Sequence, residues 1–284
     1  MIIETIYLPV AYEGILDNGG FKPSLKAYIP DVYEDVHPSK KRPTVVIFPG
    51  GGYSHHSVRE AEPIALAFNR MGFNACVLTY SVAPMEFPVA LLDACQGLHT
   101  LCEYQEKWNI DMQNVFLCGF SAGSHLAASV GIYGKTELVS QYFKDDLPAI
   151  RGLILSYPVI SSGDFAHKGS VENVLGEKIL NSDKAQYYKD LISLEKNVHG
   201  EVPPVFMWHT NEDTSVPAEN SLLFALALRK HNIPVEYHLF EKGIHGIALA
   251  NSETSFADGR HIQQENQNWI RMCETWMHNH LLTI

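Results

Sequence analysis

Apolar runs of strand length alternate with helical stretches along most of this chain, and this alternation restricts the fold more than any other feature of the sequence. The runs are rich in Val, Ile, Leu and Phe, and they are predicted as strands at residues 44–48, 73–79, 115–119, 152–156, 205–209 and 235–240. Nearly continuous apolar strands are typical of a parallel sheet, because helices cover both of its faces. The pattern predicts an α/β fold with a mostly parallel, doubly wound sheet.

One interval departs from this alternation. The stretch between the predicted strands that end at Ser156 and begin at Val205 is longer than the single helix that connects two parallel strands. We interpret residues 161–201 as a small cap-like insertion near the carboxyl ends of the strands, where ligands of such sheets bind. No linker divides the chain, so residues 1–284 are predicted to form a single domain, with the first forty residues as an antiparallel edge of the sheet.

Charge and composition argue against several classes of function. The formal net charge of -11 disfavours binding to nucleic acids and anionic membranes. No run approaches the roughly 18 apolar residues of a membrane-spanning helix, and the chain does not begin with a signal-peptide pattern. The odd number of cysteines, five, and their spacing indicate reduced thiols, so we expect a soluble cytoplasmic protein. The histidines form no metal-binding motif, so neither a metal nor another cofactor is indicated. The oligomeric state stays open, a homo-oligomer included.

The residues Gly119-Phe120-Ser121-Ala122-Gly123 form a GxSxG motif. An apolar predicted strand precedes the motif and a helical stretch follows it, which is the setting in which two glycines allow a tight turn that exposes the serine. Ser121 is therefore the candidate nucleophile. The alternative is a glycine-rich turn that only packs a helix against a strand.

A second glycine-rich segment follows the predicted strand at residues 44–48. Acyl transfer requires hydrogen-bond donors where the tetrahedral oxyanion forms, and consecutive glycines let the backbone approach the substrate closely. We assign the amides of Gly51, Gly52 and Ala122 to an oxyanion hole. A phosphate-binding loop is the alternative, but the segment has neither a following Lys-Ser/Thr pair nor GxGxxG spacing.

A serine nucleophile needs a general base, and the base needs an acid that orients it. His245 follows the last predicted strand between two glycines, and it is the candidate base. Glu212 and Asp213 both follow the strand at residues 205–209, and their position alone leaves the choice of acid open. The chain order serine, acid, histidine is that of the α/β-hydrolase fold.

Together these motifs resemble the esterase/lipase group of the α/β-hydrolases, specifically bacterial acetyl esterases and acetylxylan-esterase-like sugar hydrolases. The resemblance extends from Pro43 to the end of the chain, and the segments that carry it are residues 49–53, 80–84, 87–88 with Asp93, 119–123, 213–217 and 243–246. The chain departs from the pattern at Pro49, where the family often has histidine, and at Ser124, where a second glycine is common. The spacing from Asp213 to Pro217 matches the family and favours Asp213 over Glu212 as the acid.

The resemblance implies an α/β-hydrolase fold, a triad of Ser121, His245 and Asp213, and a small-molecule ester as substrate. The implied activity is that of a serine carboxylesterase for short-chain acyl esters, such as acetyl esters of sugars or similar small alcohols. A peptidase of the prolyl-oligopeptidase type and a non-catalytic binding protein on a hydrolase scaffold are the alternatives. The sequence does not name the alcohol.

Three tyrosines are candidate substrate contacts. Tyr53 follows the glycines of the oxyanion segment, whereas Tyr187 and Tyr188 lie in the predicted cap and could stack on a sugar ring. A tyrosine pair in a helix more often packs the cap against the sheet. The roles of His55 and His56 stay open. Because the cap mixes charged with isolated apolar residues, we expect no interfacial activation and a preference for short acyl groups.

Overall fold

Eight strands make up the sheet in the part of the chain that this computed structural model describes, which is residues 1–9, 12, 20–33, 35–37 and 39–282. The strands are β1 (Ile2–Tyr7), β2 (Ser24–Ile29), β3 (Arg42–Phe48), β4 (Asn74–Thr79), β5 (Ile110–Phe120), β6 (Ile150–Ser156), β7 (Val205–Thr210) and β8 (Val235–Phe240). Their order in the sheet is β1-β2-β4-β3-β5-β6-β7-β8. The pairs β1-β2 and β2-β4 are antiparallel and the other pairs are parallel. The predicted antiparallel edge and parallel centre are both observed.

Helices flank the sheet and connect its parallel strands. They are α1 (Glu62–Arg70), α2 (Val89–Glu103), α3 (Ala122–Tyr133), α4 (Glu137–Ser140), α5 (Lys168–Leu180), α6 (Ala185–Ile192), α7 (Glu219–Lys230) and α8 (Trp269–His280). A short 3-10 turn at Val58–Glu60 precedes the first helix. No helix in the described ranges is long and apolar enough to cross a membrane.

The core lies on both faces of the sheet. Leu117 of β5 packs into the cluster beneath α2 and α3, whereas its neighbours Phe116 and Cys118 pack into the cluster that includes residues of α1 and α8. This alternation follows from the pleat of a strand, which sends successive side chains to opposite faces. Because both faces are covered, the middle of each central strand is apolar, and polar residues such as Asn74 and Asp111 lie toward the strand ends.

The interval at residues 161–201 contains α5 and α6, and it packs over the carboxyl ends of the strands. Its Val174 carbonyl accepts a hydrogen bond from the amide of Phe87 at 2.7 Å, and its Asn173 side chain donates to the carbonyl of Gly52 at 2.8 Å. The segment is therefore attached to the loop before α2 and to the glycine-rich loop after β3.

Candidate active site

Ser121 lies in the sharp turn between β5 and α3, with a φ of 52°. The backbone at this turn leaves no room for a side chain on either flanking glycine. A Cβ at Gly119 would lie 2.4 Å from the carbonyl oxygen of Gly123, and a Cβ at Gly123 would lie 2.0 Å from that of Phe48. A positive φ at a non-glycine residue is a strained conformation that the surrounding structure must enforce. The turn presents the Ser121 hydroxyl at the carboxyl edge of the sheet.

Ser121, His245 and Asp213 are brought together in one chain of hydrogen bonds. Nε2 of His245 lies 2.8 Å from Oγ of Ser121, and Nδ1 of His245 lies 2.5 Å from Oδ2 of Asp213. A carboxylate accepts only, so the proton of the neutral imidazole belongs on Nδ1 and leaves Nε2 free to accept from the serine. The arrangement has the geometry required for general-base activation of a serine hydroxyl.

The Asp213 side chain is fully buried and surrounded by donors. Besides His245, Nε2 of His209 lies 3.1 Å from Oδ2, and the amides of Ser215 and Val216 each donate to Oδ1 at 2.9 Å. Burial opposes the ionised form, but the hydrogen bonds from the two histidines and the Val216 amide outweigh it and hold the pKa of Asp213 well below its usual value. His209 is itself fully buried, and it supports the candidate acid.

Glu212 was the other carboxylate available in this loop. The structure directs it away from His245, and its Oε2 accepts a hydrogen bond from the amide of Gly243 at 3.2 Å. Glu212 therefore fixes the backbone before His245 rather than contacting the imidazole.

The glycine-rich loop after β3 lies beside the Ser121 turn. Gly51 and Gly52 have φ values of 131° and 62°, which favour glycine. Within the described residues, no protein acceptor takes the amide protons of these two glycines. Ala122 is the first residue of α3, so its amide has no acceptor in the helix. The three amides assigned from sequence are thus available to a developing negative charge.

A cavity of about 350 Å³ opens above Ser121. Its lining is dominated by small and polar residues, which are Gly51, Gly52, Ser54, His55, Ser57, Arg59, Glu60, Ser121, His167, Gly169, Asn173, Ser215, His245 and Gly246. His55 therefore lies at the site, and the cap contributes His167, Gly169 and Asn173. Burial and the nearby His245 lower the pKa of His167. A wall of hydroxyls, imidazoles and amides suits a polar ligand better than a long alkyl chain.

A second, much smaller cavity of about 10 Å³ lies beside the first, beneath α5. Three valines, Val159, Val171 and Val174, supply much of its apolar wall. It adjoins the nucleophile, because the amide of Val159 donates to the carbonyl of Ser121 at 3.2 Å. Its size matches one water or one methyl group.

The predicted substrate contacts Tyr53, Tyr187 and Tyr188 do not line the large cavity in the described structure. Tyr53 is buried, and its hydroxyl donates to Nδ1 of His125 at 2.8 Å. Tyr188 packs against the core beside Phe87, and Tyr187 is 61% exposed next to it. Tyr188 thus attaches residues 161–201 to the loop before α2, and Tyr53 borders the smaller cavity.

Several cavity residues carry no signal in the sequence. Arg59, Glu60 and His167 belong to no motif, and they reach the site only because a 3-10 turn and the cap fold over it. Nη1 of Arg59 donates to the carbonyls of Gly246 and Thr254 at 2.8 and 2.9 Å, which fixes the guanidinium beside the loop of the candidate base.

Residues 30–228 match the BD-FAE family. The chain is 37% identical over 239 residues to endo-1,4-beta-xylanase B of Butyrivibrio fibrisolvens, a match that covers 82% of this chain and 36% of that protein. It is 27% identical over 233 residues to the acetylxylan esterase of Xylanibacter ruminicola, covering 80% of this chain and 45% of that protein. This chain therefore spans less than half the length of these two curated relatives.

One solved structure is similar to this chain over nearly the whole length of both chains. The acetyl ester-xyloside bifunctional hydrolase from Caldicellulosiruptor lactoaceticus has a TM-score of 0.80 to this chain at 37% identity, and the match covers 97% of this chain and 96% of that chain. These comparisons confirm the predicted α/β-hydrolase fold and the predicted resemblance to ester-hydrolysing enzymes.

Proposed function

This chain belongs to the BD-FAE family of α/β-hydrolases, and we propose that it is a serine carboxylesterase that hydrolyses short-chain acyl esters, among them acetyl esters of sugars or similar small alcohols. The observation that carries the proposal is the hydrogen-bonded series Ser121, His245 and Asp213 at the floor of a polar cavity, next to backbone amides that find no acceptor among the described residues.

In the first half-reaction, the Ser121 oxygen attacks the ester carbonyl while Nε2 of His245 takes the hydroxyl proton. The amides of Gly51, Gly52 and Ala122 stabilise the oxyanion of the tetrahedral intermediate. When that intermediate collapses, the imidazolium gives its proton to the departing alcohol, and the acyl group stays on Ser121. Asp213 keeps the imidazole in the orientation and tautomer that this proton transfer needs.

In the second half-reaction, His245 removes a proton from water as the water attacks the acyl-serine. The same amides stabilise the second oxyanion, and when it collapses the imidazolium returns the proton to the departing Ser121 oxygen as the carboxylic acid is released. Neither half-reaction needs a cofactor in this scheme.

The two cavities support a division between acyl and alcohol sites. We assign the acyl methyl group to the small cavity bounded by Val159, Val171 and Val174, because its volume accepts little more than a methyl group. The alcohol then occupies the large cavity, whose serines, histidines and Asn173 offer hydrogen bonds to hydroxyl groups. The names of the relatives, an acetylxylan esterase and an acetyl ester-xyloside hydrolase, support a sugar as the alcohol.

We further propose that residues 161–201 act as a cap that narrows the entrance to Ser121, since α5 supplies one wall of the cavity. A cytoplasmic location is also proposed. All five cysteines are free and four of them are buried, which suits a reducing compartment.

The decisive experiment compares the wild type with Ser121→Ala on a panel of aryl acetates, acetylated sugars and proline-containing peptide anilides. We expect wild-type turnover of the acetates, a loss of about 10⁴-fold or more in Ser121→Ala, and covalent labelling of the wild type alone by an organophosphonate. Faster cleavage of the anilides would indicate a peptidase. Absence of both labelling and turnover would indicate a binding protein.

A further inference from the structure

Glu60 is a buried carboxylate in the wall of the cavity, with only 3% of its surface exposed. Its two oxygens have different partners. Oε2 accepts the amide proton of Gly50 at 2.9 Å, and Oε1 accepts the hydroxyl proton of Tyr157 at 2.7 Å. None of the ion pairs within the described ranges includes Glu60. Burying a carboxylate among neutral donors costs free energy, so the burial of Glu60 indicates a role other than stabilising the fold.

One end of this network reaches the oxyanion loop. Gly50 directly precedes Gly51 and Gly52, so the bond from its amide to Glu60 sets the orientation of the peptide that leads into them. The backbone there has little freedom, because a Cβ at Gly50 would lie 2.7 Å from the Glu60 carboxylate and 2.8 Å from the carbonyl of Phe120. A shift of the Glu60 side chain therefore moves the peptides whose amides face the oxyanion.

The other end reaches the candidate base. The ring of Tyr157 packs edge-on against the ring of His245, with centroids 5.0 Å apart and an interplanar angle of 71°. The Tyr157 oxygen also accepts the amide proton of Ala248 at 3.1 Å, so its own proton is directed to Glu60. Tyr157 therefore supports both the imidazole and the loop that follows it.

We propose that Glu60 is a positioning residue that couples the oxyanion loop to the general base, through Gly50 on one side and Tyr157 on the other. This inference rests on the proposed esterase function. The oxyanion loop and the general base act only when charge develops in the transition state, and preorganised groups lose their effect steeply when they are misaligned. Glu60 thus serves the chemical step through the groups that it positions.

A carboxylate suits this role because both of its oxygens accept. Glutamine has the same size, but one end of its amide donates. If the NH₂ group faces Gly50, it opposes an N–H that has no other acceptor in this loop. If the NH₂ group faces Tyr157, the phenol proton is left without an acceptor. The Glu60→Gln substitution therefore breaks one of the two connections whichever way the amide faces.

The test measures kcat and KM for p-nitrophenyl acetate and an acetylated sugar in Glu60→Gln, Tyr157→Phe and the double variant. We expect kcat to fall about 100-fold in Glu60→Gln, with KM changed by less than about threefold and the rate of phosphonate labelling lowered in parallel. Because the two residues act as a unit, the double variant should be no slower than the slower single variant.

Glu62→Gln is the matched control. Glu62 lies two residues further on and also accepts a tyrosine hydroxyl, that of Tyr28 at 2.7 Å, but it does not line the cavity. We expect wild-type kinetics in this variant. Far-UV circular dichroism and the melting temperature of each variant separate lost positioning from lost folding, and Tyr157→Phe provides the milder perturbation if Glu60→Gln folds poorly.

Two results would overturn the inference. One is a folded Glu60→Gln or Tyr157→Phe enzyme with wild-type kcat, and the other is a double variant whose loss equals the product of the single losses. Failure of the proposed function is a different outcome, because the wild type would then lack turnover that depends on Ser121.

Discussion

The Asp213→Asn substitution should nearly abolish turnover, because every neighbour of this carboxylate donates a hydrogen bond. Oδ1 faces the amides of Ser215 and Val216, and Oδ2 faces the imidazoles of His209 and His245. An asparagine must place its NH₂ group against one of these pairs. The two backbone amides cannot change, so the NH₂ group is directed to the side of the histidines.

His209 cannot accommodate the new donor. Its Nε2 also lies 3.0 Å from the carbonyl of Val216, which only accepts, so the His209 proton is on Nε2, while Nδ1 pairs with the hydroxyl of Ser221 at 2.8 Å. The asparagine therefore donates to Nδ1 of His245 instead. His245 must then carry its own proton on Nε2, where it opposes the Ser121 hydroxyl and cannot accept its proton.

We expect kcat/KM for p-nitrophenyl acetate to fall about 10⁴-fold, which corresponds to a barrier higher by about 5.5 kcal/mol. Glu212→Gln is the neighbouring control, because a glutamine oxygen can still accept the Gly243 amide, and its kcat/KM should stay within about threefold of the wild type. A folded Asp213→Asn enzyme within tenfold of the wild type, or a greater loss in Glu212→Gln, would refute this reasoning.

Three further predictions concern the acyl site, acid stability and the Ser121 turn. For p-nitrophenyl esters from acetate to laurate, kcat/KM should be highest at acetate or propionate, since each methylene that finds no apolar site loses about 0.8 kcal/mol of burial free energy. An optimum at octanoate would contradict the assignment of the acyl group to the smaller cavity, which Val171 borders. Burial lowers the pKa of His125 to about 4, so neutral His125 should contribute stability that is fully present above pH 6.5, and about 3 kcal/mol of this contribution should be lost between pH 6.5 and 4. Urea unfolding at both pH values checks this, and an equally steep loss in His125→Gln argues against it. Gly123→Ala should lower both the melting temperature and kcat, because the new Cβ would meet the Phe48 carbonyl at 2.0 Å; an unchanged melting temperature would contradict it.

Residues fixed by local chain geometry could be predicted from the sequence. Ser121 was predicted from the strand, turn and helix around it, and the steric contacts of Gly119 explain why that motif tolerates no larger residue. The placement of His245 and Asp213 after the last two strands follows from the parallel sheet, whose carboxyl ends share one edge. These inferences needed only the order of elements along the chain, except for the choice of Asp213 over Glu212, which rested on the resemblance to the family.

The remaining contacts depend on distances that no local pattern encodes. Tyr53 was predicted to contact substrate because it follows the glycines, and no local pattern indicates that its positive φ of 58° belongs to a turn in which its hydroxyl donates to His125 while it borders the smaller cavity. Glu60 is joined to Tyr157 across 97 positions of sequence, and neither residue belongs to a motif. Such pairs are set by how the loops pack over the sheet, and no periodicity in a single sequence indicates that packing.

The loop that carries His245 explains how an irregular segment can hold a base in place. Ala248 and Ala250 adopt positive φ values of 52° and 56°, which alanine rarely does, and both are fully buried. Anchors on both sides enforce this conformation, because the amide of Ala248 is bound by Tyr157 and its carbonyl accepts from the indole of Trp269 at 2.9 Å. Trp269 in turn stacks on Trp208 of β7, with ring centroids 5.3 Å apart. The orientation of His245 is therefore transmitted from the sheet through aromatic side chains, which is why a loop without secondary structure can supply a base with fixed geometry.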